Sequence, residues 1–291
     1  MLAKTGEELL NICADKGISL SEYAILYEME TSELTREEVI KMMEKSYDVM
    51  LEACRQGMEE EVFSVSGLIG GDGYKINKYL NSGKSLTGNV IIKAMARAMS
   101  CAEVNASMGK IVACPTAGSC GILPAVIITA VEQLELDYEG AIKGLFAASA
   151  LGIIIAQNAT LAGAEGGCQA ECGSASAMGA AAVVEMMGGT PEMSLNAAAI
   201  VFKNIMGLVC DPVAGLVEVP CAKRNVAGAV SALSTADLVM AGVNSKIPFD
   251  DVLSAMYDVG KNMPSELKET AMGGIAITKT GKKLNEQVFG K

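Results

Sequence analysis

The chain has 291 residues, about half of them hydrophobic and a fifth charged, which excludes a disordered chain and allows one large core or two smaller ones. Acidic side chains outnumber basic ones by 34 to 23, and the resulting net charge of -11 argues against nucleic acid and anionic membranes as partners. The absence of histidine excludes Ser-His-Asp triads and histidine-ligated zinc, haem or iron, so catalysis requires other side chains or a cofactor.

The first sixty residues predict three amphipathic helices. Each begins with a Ser or Thr followed three residues later by Glu, at Thr5, Ser19 and Thr35, which is the pattern of a capping box. After Thr35, apolar residues recur at helical spacing until Gly57 interrupts them. We therefore expect an acidic helical segment over residues 1–62.

The rest of the chain also has helical periodicity, and alternating β-branched runs are nearly absent. The sequence therefore predicts an all-α fold, with a compact catalytic domain of Gly/Ala-rich helices and Cys-bearing loops. We expect a single domain over 1–291, in which 63–291 forms the core. The predicted helices span Leu86 to Met108, Ile122 to Leu134, Glu139 to Ala156, Ser174 to Met187, Pro191 to Met206, Ala222 to Gly242 and Phe249 to Gly260.

The stretch from Gly144 to Ala164 carries no charge and is long enough to cross a bilayer. Polar residues such as Ser149 and Gln157 interrupt it, and its Ala/Gly content favours a buried helix followed by a loop. We therefore expect no membrane span.

Two glycine-rich segments resemble phosphate-binding loops without matching them. The segment Gly83-Lys84-Ser85 lacks the required glycine five residues earlier, where Lys78 stands. The segment from Ser66 to Gly73 lacks the strand context and the third glycine of a dinucleotide fingerprint, so we interpret it as a flexible loop.

Nine cysteines are spread through the chain, and its first residues do not form a secretory signal. The odd count and the wide spacing predict a cytoplasmic protein without a disulfide framework. A buried apolar role is the commoner outcome for any one cysteine, and we assign it to Cys13, Cys54 and Cys101.

Three other cysteines lie in turn-rich segments where free backbone N–H groups and glycines allow close approach to a metal: Cys168, Cys210 and Cys221. From their spacing alone, both a shared site for a soft metal and separate buried positions are open. The roles of Cys114, Cys120 and Cys172 are also open.

At three segments the sequence closely resembles the iron-sulfur-dependent L-serine dehydratases, specifically the alpha chain of their two-chain form. The segments are Pro115-Thr116-Ala117-Gly118-Ser119-Cys120-Gly121, Glu165-Gly166-Gly167-Cys168-Gln169, and the stretch from Gly207 to Cys221. They occur in the family's order, and the eleven-residue step from Cys210 to Cys221 is specific.

The resemblance implies a 4Fe-4S cluster held by Cys168, Cys210 and Cys221. One iron of such a cluster has no protein ligand and can act as a Lewis acid in the conversion of L-serine to pyruvate and ammonia. The third cysteine is followed by Lys223, Arg224 and Asn225. A cation there either balances thiolate charge or faces solvent.

The family's substrate loop matches Thr116, Gly118 and Ser119, which precede a predicted helix, as expected of an anion site for the substrate carboxylate. The general base is unknown, and the candidates are Lys268 and Glu269. Because the family's Ser- and His-containing motif belongs to its beta part, which this chain lacks, the resemblance implies a beta subunit in a heterodimer or higher heteromer.

Three alternatives stay open. The same cluster chemistry could act on threonine, cysteine or a hydroxy acid. An iron-sulfur electron carrier or sensor fits less well, because four protein ligands would be expected. A helical scaffold without a cofactor is the third, and an iron assay would exclude it.

Overall fold

The computed structural model describes residues 2–290, so Met1 and Lys291, the two ends of the predicted domain, lie outside the described residues. Helices dominate the described chain, and the prediction of an all-α fold is confirmed. The helices are α1 (Gly6–Lys16), α2 (Leu20–Ser32), α3 (Arg36–Glu59), α4 (Asp72–Leu80), α5 (Gly88–Ala106), α6 (Ile122–Gln133), α7 (Tyr138–Asn158), α8 (Gly163–Gly166), α9 (Cys168–Met186), α10 (Pro191–Ile205), α11 (Cys221–Met240), α12 (Phe249–Asn262) and α13 (Lys279–Phe289).

Helix α9 lies at the centre of the fold and packs against α6, α7, α10 and α11. Every residue from 168 to 184 is buried except Glu171. Small residues permit this packing because they let neighbouring helix backbones approach closely, and one connected hydrophobic core extends from Ala3 to Met256. The exception, Glu171, faces the candidate active site.

Helix α7 is the one helix of the described chain that is long and apolar enough to span a bilayer. Its apolar side chains pack against α2, α3 and α9, and 61% of its most apolar window is buried. The expectation of a buried helix in this stretch is confirmed.

Helix α9 begins six residues earlier than predicted. The glycines of residues 163–173 predict a loop, but the structure forms α8 and the first turn of α9 there. Gly173 is a packing residue, since a Cβ at that position would lie 3.0 Å from Ile205. Cys168 and Cys221 lie at helix boundaries, as the first residues of α9 and α11, whereas Cys172 lies inside α9. The expectation of a loop is therefore wrong at Cys172.

The segment over residues 66–73 connects α3 to α4, and its interpretation as a loop is wrong only at the last two residues, where α4 begins at Asp72. The buried Glu103 carboxylate accepts hydrogen bonds from the N–H groups of Asp72 and Gly73, at 2.7 and 3.1 Å, and so caps this helix. The partner is distant in sequence, so no local pattern could reveal the cap. Helix α13 is not among the predicted helices.

Only the third predicted capping box is complete. The Thr5 and Ser19 side chains accept the expected backbone hydrogen bonds, but the carboxylates of Glu8 and Glu22 bind Lys4 N and Arg36 instead. Thr35 and Glu38 form the reciprocal pair.

Helix α1 has a second, tertiary cap that yields a stability prediction. The Asp250 carboxylate accepts from Gly6 N at 2.7 Å and from Glu7 N at 3.0 Å, joining α12 to α1. We expect Asp250→Ala to lower the free energy of unfolding by about 1–2 kcal/mol, as loss of an N-cap does. Urea denaturation measures the free energy of unfolding. The control is Asp251→Ala, at an exposed position on the same helix turn. Equal effects of the two variants would contradict the capping role.

Candidate active site and metal centre

Three thiols predicted to hold a metal are gathered on one side of α9. Cys168 is the first residue of α9, Cys221 the first of α11, and Cys210 lies in the connection before a 3-10 turn; all three are buried. Burial raises the pKa of Cys221 to about 12 and also raises the pKa of Cys210. The proximity of Cys168 adds to the increase at both thiols. The fold therefore brings these cysteines into mutual electrostatic range.

Cys172 adds a fourth thiol that the predicted ligand set did not contain. Its Sγ lies 3.3 Å from Cys168 Sγ, one helical turn away. One potential ligand atom from each of Cys168, Glu171 and Cys172 lies within 4.8 Å of the others, a spacing that could hold a metal ion. Contact with Cys172, and then the charge of Arg224, lower the pKa of Cys168 despite its burial.

Arg224 is the cation that faces this thiol group. Its guanidinium donates to Asp211 Oδ1 and to the Val209 carbonyl, each at 2.8 Å, so it is fixed beside the connection that carries Cys210. The neighbouring Lys223 pairs with Asp72 at the surface. Of the two cations after the third cysteine, Arg224 is thus the one placed to balance thiolate charge.

The predicted substrate loop forms a 3-10 turn against the same region. The Thr116 hydroxyl accepts from Ser119 N at 3.3 Å and lies 3.1 Å from Ser119 Oγ. Asn225 of α11 joins the loop to the cysteine region, since its side chain donates to the Gly118 carbonyl and accepts from Gly121 N. Ser119 is fully buried, so its hydroxyl stabilises the turn, whereas Thr116 is partly exposed.

Glu171 connects the substrate loop with the cysteines. Its Oε1 accepts a hydrogen bond from the Thr116 hydroxyl. A Cβ on Gly118 would lie 2.5 Å from the same oxygen, so glycine is required for the carboxylate to fit. Burial raises the pKa of Glu171, and Glu269 adds to the increase, while the bond from Thr116 opposes it.

Three reactive groups border one small space above Gly163. A Cβ built on this glycine would lie 3.1 Å from Cys210 Sγ, 3.4 Å from Glu171 Oε2 and 3.5 Å from Glu269 Oε2. Because Oε1 of Glu171 is engaged by Thr116, its Oε2 is the oxygen that faces this space. A thiol and two carboxylates therefore converge where the main chain carries no side chain.

The C-terminal segment that supplies Glu269 is held by Cys210. The Cys210 N–H donates to the Leu267 carbonyl at 2.8 Å, and Glu269 N donates to the Cys210 carbonyl at 2.7 Å. Glu269 adopts a left-handed φ of 63°, a conformation that a non-glycine residue rarely adopts. Lys268 points elsewhere, with its ammonium 3.3 Å from the Lys261 carbonyl.

Comparison with known proteins identifies the family. Residues 15–276 match the family model described as serine dehydratase alpha chain. The chain belongs to this family. It is 50% identical over 98% of its length to a probable L-serine dehydratase alpha chain of Bacillus subtilis, of which it covers 94%. It is 46% identical over 97% of its length to the L-serine dehydratase alpha chain of Peptoniphilus asaccharolyticus, of which it also covers 97%.

Other members of the family are longer. An L-serine dehydratase of Streptomyces coelicolor is 37% identical over 94% of the chain, yet the chain covers only 60% of that protein. Such relatives carry sequence beyond the part that this chain matches.

Among the residues predicted for the family site, Cys168, Cys210 and Glu269 lie near one another in the structure. Thr116 and Gly118 lie beside this group, because both contact Glu171. Sequence reasoning missed Glu171 itself. Its signal was a lone carboxylate in an otherwise uncharged run of small residues, from Cys168 to Val184. That signal marks the position as unusual, but only the packing shows what the carboxylate faces.

Proposed function

We propose that this chain is the cluster-binding subunit of an L-serine dehydratase, which converts L-serine to pyruvate and ammonia. The proposal includes a 4Fe-4S cluster, a beta chain as partner, a single domain over 1–291 and a cytoplasmic location. The observation that carries it is the convergence of three family segments on one side of α9, where Glu171 is the exception in a buried helix.

The donor set fits an iron-sulfur cluster. Cys168, Cys210 and Cys221 would hold it, since thiolates are its usual ligands and two of these cysteines begin helices, where unpaired N–H groups and positive dipole ends favour thiolate charge. Arg224 offsets part of that charge. The missing side chain at Gly163 leaves the main chain bare beside Cys210 Sγ, where a bulky group would lie. When bound, a cluster with three protein ligands supplies a Lewis acid for the serine hydroxyl, which is otherwise a poor leaving group.

The chain's own residues account for the proton chemistry. Glu171 Oε2 is the proposed acceptor of the serine α-proton, because it faces the space beside Cys210 while Thr116 fixes the other oxygen. Its raised pKa makes it a stronger base than an exposed carboxylate. After loss of the α-proton and hydroxide, the enamine product tautomerises and hydrolyses in solution.

The remaining residues bind and orient the substrate. The turn from Thr116 to Ser119 precedes α6 and offers the backbone N–H groups of Ala117 and Gly118 to the serine carboxylate, while the Thr116 hydroxyl holds Glu171. Glu269 faces the same space from the opposite segment and offers an acceptor to the serine ammonium group. Lys268, the other predicted candidate, is turned toward α12 and has no assigned role.

Activity of the anaerobically reconstituted protein tests this function. We expect pyruvate formation from L-serine when ferrous iron and sulfide have been incorporated and the beta chain of the same organism is present. Without the beta chain, the rate should be lower by orders of magnitude, since positioning contributes on the order of several kcal/mol to a barrier. D-Serine is the control substrate. A complex with full iron loading that forms no pyruvate from L-serine would refute the proposal.

A further inference from the structure

We infer that a solvent-exposed apolar rim beside the substrate loop, formed by Phe63, Val65 and Met108, is the surface on which the partner chain docks. The inference rests on the proposed function and adds the location of the interface. It starts from exposure: these side chains are 60%, 76% and 82% exposed. A monomeric protein does not gain stability from large apolar groups in water, and grouped exposed apolar residues mark interaction sites.

The three residues belong to one structural unit. Val65 N donates to the Ala106 carbonyl at 3.0 Å, which ties the turn over residues 63–70 to the end of α5, where Met108 follows. The rest of the turn is ordered by tight contacts, including the pairing of Phe63 with Gly70. The exposed side chains therefore lie on a rigid support.

The rim adjoins the candidate active site on two sides. Asn105, in the last turn of α5, donates to the Ala117 carbonyl in the substrate loop. Ser66 in the turn donates to Glu218 at 2.6 Å, in the connection that leads into Cys221. A partner seated on the rim would thus contact the edge of the substrate loop and could complete the wall of the site.

Met108 occupies a position where a large side chain is unfavourable for the isolated chain. The end of α5 is a Schellman motif, in which Gly109 N donates to the Val104 carbonyl and Met108 N to the Asn105 carbonyl. Met108 is the residue with the left-handed backbone, at φ 66°, where glycine is the usual choice. A strained and exposed methionine gives the free chain no benefit, which points to a contact made with another molecule.

The comparisons indicate the occupant. One-chain relatives match almost all of this chain over about 60% of their own length. The rest of those proteins lies outside the part that this chain matches. In the two-chain form, a separate polypeptide equivalent to that part would lie against this chain at a shared active site. The rim borders the substrate loop, so a polypeptide that completes the active site would contact it.

Binding of the beta chain of the same organism to variants of this chain tests the location. We expect the double substitution Val65→Glu and Met108→Glu to raise the Kd at least tenfold, while iron content and thermal stability stay unchanged. Leu86→Glu is the control, because Leu86 is 99% exposed and lies beyond the other end of α5, about 28 Å away along a helix of nineteen residues.

A second variant separates a docking role from a folding role. Met108→Gly should raise Tm by about 2 °C, because it relieves the left-handed strain, and should still weaken binding severalfold. A variant that is more stable and yet binds less well cannot be explained by damage to the fold.

The outcomes distinguish this inference from the proposed function. If the beta chain binds the wild-type chain and the double variant equally, the rim is not the docking surface, and the heteromer stands. If it does not bind the wild-type chain, the heteromer itself is refuted. If sedimentation shows that the double substitution abolishes self-association but leaves beta-chain binding intact, the rim joins two copies of this chain and the inference is overturned.

Discussion

Replacing Cys168, Cys210 or Cys221 with alanine is expected to remove most of the bound iron and to lower activity by more than about 100-fold. Loss of an outer partner of a metal site already costs roughly 10–100-fold, and loss of a ligand removes a thiolate itself. The helical fold should survive, because each side chain is small and lies at or before a helix start. Iron analysis and visible absorption measure the bound cluster, pyruvate formation measures activity, and circular dichroism measures the helical fold.

Cys172→Ala is the sharpest control for this ligand assignment. Cys172 is buried and 3.3 Å from Cys168, yet it lies outside the proposed set. We expect this variant to retain its iron, as should Cys13→Ala, which is remote from the site. If Cys172→Ala lost as much iron as Cys168→Ala while Cys221→Ala kept it, the metal would instead be held by the group of Cys168, Glu171 and Cys172.

Glu171→Gln is expected to lower kcat roughly 100- to 10,000-fold, the range for loss of a general base, with iron content unchanged. Glutamine keeps the shape of the side chain and an oxygen for the Thr116 hydroxyl, but it cannot accept the α-proton. Because the proton moves only in the transition state, KM should change much less than kcat. Steady-state kinetics of the iron-loaded complex measure both.

Two further glutamine variants make this prediction specific. Glu165 lies six residues before Glu171 and likewise accepts a threonine hydroxyl, from Thr160, but it is exposed, so Glu165→Gln should retain activity. Glu269→Gln should mainly raise KM if Glu269 binds the ammonium group. Loss of kcat in Glu269→Gln with near-normal kcat in Glu171→Gln would reverse the two roles.

The helical class, most helix positions and the three segments that identify the family can be predicted from the amino-acid sequence alone. These features depend on local patterns: apolar spacing, capping residues such as Thr35 and Pro191, and motifs contiguous along the chain. Helices α5, α6, α7, α10, α11 and α12 accordingly begin and end within two residues of their predicted limits.

Contacts between residues far apart in sequence could be identified only in the folded structure. The sequence does not distinguish a glycine that ends a helix from one that allows two helices to pack closely. For this reason the prediction of a loop at Gly173 is wrong. The cap of α4 by Glu103 depends on the packing of α5 against α4. In the same way, Glu171 gains its role from Thr116, Gly163 and Glu269, which reach it from three other segments, and burial among them shifts its pKa. A carboxylate's chemistry is set by what surrounds it in space, and that arrangement exists only in the folded chain.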